Sequence, residues 1–161
     1  MVVQLRGANY SGFEGVAIQG WDPGDPSGAQ AGQAGGPKWS AMLSWKMNTV
    51  RIPLNEASWL GYSCTDTSGV VRNPDPGSNY KSAVQTQVAQ ATAAGMYVIL
   101  DLHWAAPGNA CPILQAQMAD NDHSIAFLTS IADTFNNNPS TVFDLSNEPS
   151  LDFDSHLVPW P

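Results

Sequence analysis

The 161-residue sequence has few basic residues, no long apolar segment and only two cysteines. Six Lys and Arg stand against 14 Asp and Glu, and a formal net charge of -8 disfavours contact with nucleic acid or anionic lipid. No apolar run approaches the roughly 20 residues that a helix needs to cross a membrane, and the N-terminus has no signal-peptide pattern. We therefore expect no nucleic-acid or membrane partner, and a neutral chain if the partner is a polymer.

Motifs for metal, phosphate and nucleophilic chemistry are also missing. The sequence has no zinc-ligand spacing, no phosphate-binding loop and no nucleophilic serine motif. His123 lies beside Asp120 and Asp122, but this cluster is typical of an exposed helix start, where acids complement the helix dipole. We predict no metal and no cofactor.

The two cysteines, Cys64 and Cys111, lie in polar loops that contain proline or glycine and follow predicted strands. They form either one disulfide or two free thiols. The small share of charged residues and the many Asn, Gln, Ser and Trp residues favour the disulfide and, with it, a secreted, extracellular protein.

Predicted strands and helices alternate along a single domain of 161 residues. Such alternation is typical of parallel strands joined by helical crossovers. Long loops follow the strands and short ones follow the helices, which favours an α/β barrel with its active face at the carboxyl ends of the strands. The predicted strands are residues 2–9, 48–53, 97–104 and a run from 141, the helices are 39–46, 80–94 and 124–135, the loops are 10–36 and 54–79, and the tail 150–161 is irregular. Helical spacing places Val84, Val88 and Ala91 on one face of the second helix, and Ile125, Leu128, Ala132 and Phe135 on one face of the third.

Two strands deliver polar side chains to that face. An apolar run ends in Asn147-Glu148-Pro149, where the proline cannot continue a ladder and the acid is presented. The run 97–104 ends similarly in His103-Trp104. Loops at the carboxyl ends of an α/β sheet are where ligands bind.

Two aspartates precede these groups and are expected to point to the same side of the sheet. Asp101 lies two residues before His103, and Asp144 lies four before Glu148. A carboxylate inside a barrel must be paired. The nearest cations by motif position are Arg6 and Arg51, so a structural role is favoured over catalysis for both aspartates.

Four motifs in order resemble glycoside hydrolase family 5, the cellulase-type retaining β-glycanases. The resemblance covers residues 2 to about 150 and implies an α/β fold, the N-terminal half of a TIM (β/α)8 barrel with its first four β/α units. The motifs are Arg6-Gly7-Ala8-Asn9, Asn48-Thr49-Val50-Arg51-Ile52-Pro53, Ile99-Leu100-Asp101-Leu102-His103-Trp104 and Asn147-Glu148-Pro149.

The resemblance assigns a role to each matching position. Glu148 matches the general acid/base, and Asn147 matches the asparagine that hydrogen-bonds the substrate. Arg51 matches the arginine that supports the nucleophile carboxylate. His103 matches a histidine in the subsite of the reacting sugar.

Two tryptophans, Trp59 and Trp104, are expected to stack on flat pyranose rings. The substrate implied is a β-1,4-linked glucan or a related polysaccharide, and glucan, mannan and xyloglucan all remain open. The activity implied is that of an endo-β-1,4-glucanase.

The family's nucleophile is a second glutamate near the end of a seventh strand, and we predict no such strand in this sequence. The isolated chain is therefore expected to hydrolyse glycans weakly or not at all. Four strands leave two open edges, so we expect a homodimer in which two chains close one eight-stranded barrel. The alternative is an inactive glycan-binding half-barrel or a structural dimer module.

Overall fold

The computed structural model describes residues 3–15, 38–73 and 79–150. Most of the predicted loop 10–36 and nearly all of the predicted tail 150–161 lie outside these ranges. In chain order the elements are β1 (Gly7–Asn9), α1 (Trp39–Ser44), β2 (Thr49–Asn55), α2 (Glu56–Leu60), β3 (Cys64–Thr65), β4 (Val71–Arg72), α3 (Asn79–Ala93), β5 (Tyr97–Trp104), α4 (Ser124–Phe135) and β6 (Thr141–Asp144).

The main sheet has four strands in the order β1-β2-β5-β6, and every neighbouring pair is parallel. Strands therefore lie side by side in the order in which the chain makes them, as in a barrel wall. This confirms the predicted parallel α/β architecture. None of the helices in the described ranges is long and apolar enough to cross a membrane.

Strand β2 runs through Pro53 to Asn55, two residues beyond its predicted end. The Arg51 carbonyl accepts a hydrogen bond from the Tyr10 backbone N–H on the β1 side of the strand. Pro53 lies two residues further on, so its backbone nitrogen faces the same side. Strand β1 has already ended at Asn9, so the missing N–H of the proline breaks no ladder bond. Strand β1 is also shorter than predicted. It needs glycine at position 7, because a Cβ there would lie 1.8 Å from the Thr49 carbonyl oxygen.

The hydrophobic core lies between the sheet and helices α3 and α4. Alternate residues of β2 and β5 face it and are 2% exposed or less: Val50, Ile52, Leu54, Val98, Leu100 and Leu102. The other residues of these strands form the opposite, inner face. The predicted buried face of α3, Val84, Val88 and Ala91, is confirmed.

The predicted face of α4 is only partly correct. Phe135 is buried and Leu128 packs half-buried against the core, but Ile125 is 57% exposed, and the helix also buries Ser124, Phe127 and Ile131. Both sets of residues have helical spacing, so periodicity alone could not choose between them. The tertiary partner decides, because Phe127 packs edge-on against Trp59 with ring centroids 6.2 Å apart.

The predicted loop 54–79 contains a short helix and a two-stranded hairpin. Asn55 caps α2 by accepting a hydrogen bond from the Ser58 backbone, and Gly61 ends it with a left-handed backbone at φ 75°. The hairpin β3–β4 follows. Cys64 on β3 forms a disulfide with Cys111, which ties the hairpin to the loop after β5.

Candidate active site

Arg51 holds the inner face together at the carboxyl end of the sheet. Its Nη2 lies 2.9 Å from Asp101 Oδ2 and 3.2 Å from Asp144 Oδ2, and it donates to Asn147 Oδ1 at 2.6 Å. One guanidinium thus links β2, β5, β6 and the segment after β6. Strand register supports this convergence, because Asp101 and Asp144 are direct neighbours across β5 and β6.

Asp101 is fully buried and also contacts His103, whose Nδ1 lies 2.7 Å from Asp101 Oδ2. Burial raises the pKa of Asp101, although the hydrogen bond from His103 and the charge of Arg51 oppose the shift. When His103 is neutral and donates from Nδ1, its Nε2 is a hydrogen-bond acceptor. The aspartate therefore orients the imidazole at the strand end.

Asn147 and Glu148 follow β6 in a bend. Asn147 is 6% exposed, and its backbone N–H donates to the Leu102 carbonyl at 3.0 Å. Glu148 is exposed and has a left-handed backbone at φ 42°. Since β6 already ends at Asp144, this bend places Glu148, whereas strand alternation had been expected to do so.

The Glu148 carboxylate makes no hydrogen bond or ion pair with any residue in the ranges that the structure describes. It differs in this from Asp101 and Asp144, whose carboxylates both contact Arg51. Three of the four predicted polar residues, Arg51, His103 and Asn147, thus belong to one network, and Glu148 is the next residue along the chain. Their catalytic and binding roles stay predictions.

Of the two predicted stacking tryptophans, Trp104 ends β5 and is half-buried, so its role stays a prediction. The prediction for Trp59 is wrong. Trp59 is 1% exposed, packs against Phe127 and Phe135, and donates from Nε1 to Ser130 Oγ at 3.1 Å. It belongs to the core because α2, which carries it, packs against α4.

Sequence reasoning missed a buried carboxyl cluster below the loop after β5. Glu56 is fully buried, and its Oε1 accepts hydrogen bonds from the Ala106 backbone at 2.8 Å and the Tyr62 hydroxyl at 3.2 Å. Its Oε2 lies 2.9 Å from Ser124 Oγ, which lies 2.8 Å from Asp120 Oδ2. One hydroxyl proton cannot serve both carboxyls, so one of the two carboxyls must carry a proton itself.

The proton resides on Glu56. Burial, followed by the hydrogen bond to Asp120, raises the pKa of Glu56 to about 8. Burial also acts to raise the pKa of Asp120, but hydrogen bonds from Glu56 and from the His123 backbone outweigh it and lower that pKa. Glu56 and Ser124 are 68 positions apart, and no motif links them. The expected exposed helix start at residues 120–123 is therefore partly buried.

In the part of the chain that the structure describes, no three His, Cys, Asp or Glu side chains lie close enough together to hold a metal ion. The site consists of an exposed acid, a partly buried network around Arg51 and a histidine at the carboxyl end of a parallel sheet. This arrangement is that of an α/β protein of the barrel type, a class in which ligands bind at the carboxyl ends of the strands.

The family model for cellulase (glycosyl hydrolase family 5) matches residues 35–160. The chain belongs to this family. No curated protein is a match.

Solved structures share the fold. A broad-specificity endoglucanase from an uncultured bovine rumen ciliate is 21% identical with a TM-score of 0.60 over 94% of this chain and 41% of its own. The catalytic domain of the major endoglucanase from Xanthomonas campestris pv. campestris is 24% identical, with a TM-score of 0.55 over 93% of this chain and 42% of its own.

An endocellulase from Pyrococcus horikoshii, solved in complex with cellotetraose, is 21% identical with a TM-score of 0.56. The match covers 93% of this chain and 38% of that one. The chain thus spans about two fifths of the length of these structures. At these identities the similarity shows the fold alone, and it agrees with the predicted β/α units of a TIM barrel.

Proposed function

We propose that this chain supplies the acid/base part of a retaining β-glycanase site that acts on a β-1,4-linked glucan. Glu148 is the general acid/base, and Asn147, Arg51, His103 and Trp104 form the sugar-binding surface around it. The observation that carries the proposal is the Arg51 network, which fixes Asn147 next to Glu148 at the carboxyl end of the sheet.

Retaining hydrolysis needs a second carboxyl about 5–5.5 Å from the acid/base. Glu148 protonates the leaving oxygen while the second carboxylate attacks the sugar, and Glu148 then activates water. Asp101 and Asp144 are paired with Arg51 and are not free to attack. Neither aspartate supplies the nucleophile, and we expect the 161-residue chain by itself to be weak or inactive.

The open edges of the sheet support a homodimer. Among the described residues, β1 pairs only with β2, and β6 pairs only with β5. Large apolar side chains near these edges are exposed: Leu5 by 45%, Val142 by 40% and Leu145 by 50%. In the proposed dimer, β1 of each chain pairs with β6 of its partner, which closes an eight-stranded barrel.

A dimer of this kind places two copies of Glu148 across the barrel mouth and does not rebuild an acid and nucleophile pair. Light scattering tests the assembly. We expect twice the chain mass of 17.2 kDa, and a monodisperse monomer would contradict the dimer.

The second candidate function is glycan binding without hydrolysis. It is supported by the half-buried His103 and Trp104, which lie with Asn147 at the carboxyl end of the sheet, whereas both aspartates there are paired with Arg51. The related endocellulase bound to cellotetraose supports a β-1,4-glucan as ligand in both cases. The disulfide supports secretion into an oxidising compartment.

Release of reducing ends from a soluble β-1,4-glucan separates the two candidates. The wild type is compared with Glu148→Gln, and with Asp133→Asn as a control that removes a carboxylate on the exposed side of α4. A rate lost only in Glu148→Gln supports hydrolysis. Equal background rates together with cellotetraose binding support the binding module, and neither release nor binding contradicts both functions.

A further inference from the structure

The loop between β5 and α4 runs alongside the segment that carries Glu148. The Ser150 backbone donates to the Gln117 carbonyl at 3.0 Å, just past the acid. Gln115 Nε2 lies 3.3 Å from the Asn147 carbonyl oxygen and 3.2 Å from the Glu148 carbonyl oxygen. An amide nitrogen carries two hydrogens, so one side chain can donate to both carbonyls.

These two carbonyls belong to the peptide groups on either side of the Glu148 Cα. Glu148 has a left-handed backbone at φ 42°. Residues other than glycine seldom adopt this conformation, and it persists only where surrounding contacts hold it. Pro149 follows and has no N–H to contribute a hydrogen bond. Holding both flanking carbonyls fixes the two torsions that aim the Glu148 side chain.

The loop itself is anchored close to Gln115. Asn55, which is fully buried, donates from Nδ2 to the Pro112 carbonyl at 2.7 Å. Cys111, the residue before Pro112, is bonded to Cys64. Gln115 thus extends from a fixed point of the fold to the backbone of the acid.

We propose that Gln115 is a positioning residue, which holds the backbone of Glu148 so that its carboxyl points at the glycosidic oxygen. The inference rests on the proposed acid/base role of Glu148. Gln115 touches neither sugar nor reacting atom in this role and acts only through Glu148.

The test uses Gln115→Ala, Gln115→Glu and the control Gln85→Ala on the exposed face of α3. Amide hydrogen exchange of Asn147 and Ser150 reports on the segment itself, independently of turnover. We expect faster exchange in Gln115→Ala and no change in Gln85→Ala, with equal thermal midpoints for the two variants. Unchanged exchange in Gln115→Ala overturns the proposal.

The glutamate variant provides a rescue that a merely structural side chain would not give. An ionised carboxylate cannot donate to a carbonyl, whereas a protonated carboxyl can. The exchange ratio of Gln115→Glu to wild type, taken at each pH, should therefore fall towards one as the pH drops below about 4.3. A ratio that does not depend on pH counts against the proposal.

Turnover is the second test, and it is measured on the assembly that hydrolyses glucan. Gln115→Ala should lower kcat on the order of 10- to 100-fold with little change in KM, because a misaimed acid fails at the chemical step. Unchanged kcat overturns the inference. If the wild type shows no turnover, the proposed function fails, and hydrogen exchange still decides whether Gln115 holds the segment.

Discussion

Arg51 and Asp101 form the ion pair on which the candidate site is built, with Arg51 Nη2 2.9 Å from Asp101 Oδ2 and Asp101 fully buried. The arginine also reaches Asp144 and Asn147, so it sets the spacing of three strands and of the segment before Glu148. A buried ion pair adds little stability over an apolar substitute, but removal of one partner leaves a buried charge without compensation.

Arg51→Met should therefore destabilise the fold by about 3 kcal/mol, since Asp101 keeps only His103 as a partner. Urea unfolding measures the change. Arg72→Met is the matched control, because Arg72 pairs with Asp66 at 2.7 Å in an exposed ion pair that contributes little. Equal destabilisation by the two substitutions would show that Arg51 is not the centre of the network.

The Glu56 cluster predicts a pH dependence of stability. Glu56 has a pKa of about 8 in the folded state and 4.5 in its ordinary range, so the folded state binds its proton more tightly. The contribution of Glu56 to the free energy of unfolding is complete below pH 4.5 and is lost as the pH rises towards 8. The free energy of unfolding falls by at most ~1.4 kcal/mol per pH unit in this range.

Glu56→Gln supplies the comparison, because the amide remains uncharged at every pH. Urea unfolding between pH 5 and 8 should show wild-type stability falling and a flatter curve for the variant. Parallel curves for the two proteins would mean that Glu56 keeps its ordinary pKa in the fold.

The disulfide between Cys64 and Cys111 closes a loop with a sequence separation of 47. By the entropy of loop closure, its loss should lower the free energy of unfolding by about 4 kcal/mol. Chemical unfolding with and without a reductant measures this, and the double variant Cys64→Ala with Cys111→Ala should not respond to the reductant. Equal stability of the wild type with and without reductant would contradict the prediction.

The two tryptophans should behave oppositely. Trp59→Phe should reduce stability without changing affinity for cellotetraose, because the side chain is in the core. Trp104→Ala should lower that affinity by up to about tenfold through loss of an aromatic contact surface. Calorimetric titration paired with thermal unfolding separates the effects, and an affinity loss in Trp59→Phe would argue against its place in the core.

The sequence was sufficient to predict the structure where the local pattern and the tertiary structure agree. The continuous apolar run of β5, Tyr97–Trp104, and the helix α4, Ser124–Phe135, have the predicted bounds. Parallel strands present their carboxyl ends at one edge, so Arg51, Asp101 and Asp144 could be expected to meet there, and they do.

The sequence was insufficient where loops distant in the chain determine which residues meet. Trp59 follows a strand in the sequence as a ligand-facing residue would, but the packing of α2 against α4 buries it. Glu56 and Asp120 meet through Ser124, and Gln115 meets the backbone of Glu148, by the course of the loop after β5. No local spacing encodes that course.

Chemical-shift mapping of cellotetraose on the isotope-labelled chain tests the central claim most directly. The account predicts shifts concentrated at His103, Trp104 and Asn147, the half-buried and buried groups at the carboxyl end of the sheet. It also predicts that Arg51→Met weakens binding through loss of the hydrogen bond to Asn147. Saturable shifts confined to the outer faces of α3 and α4, or no shifts at all, would contradict it.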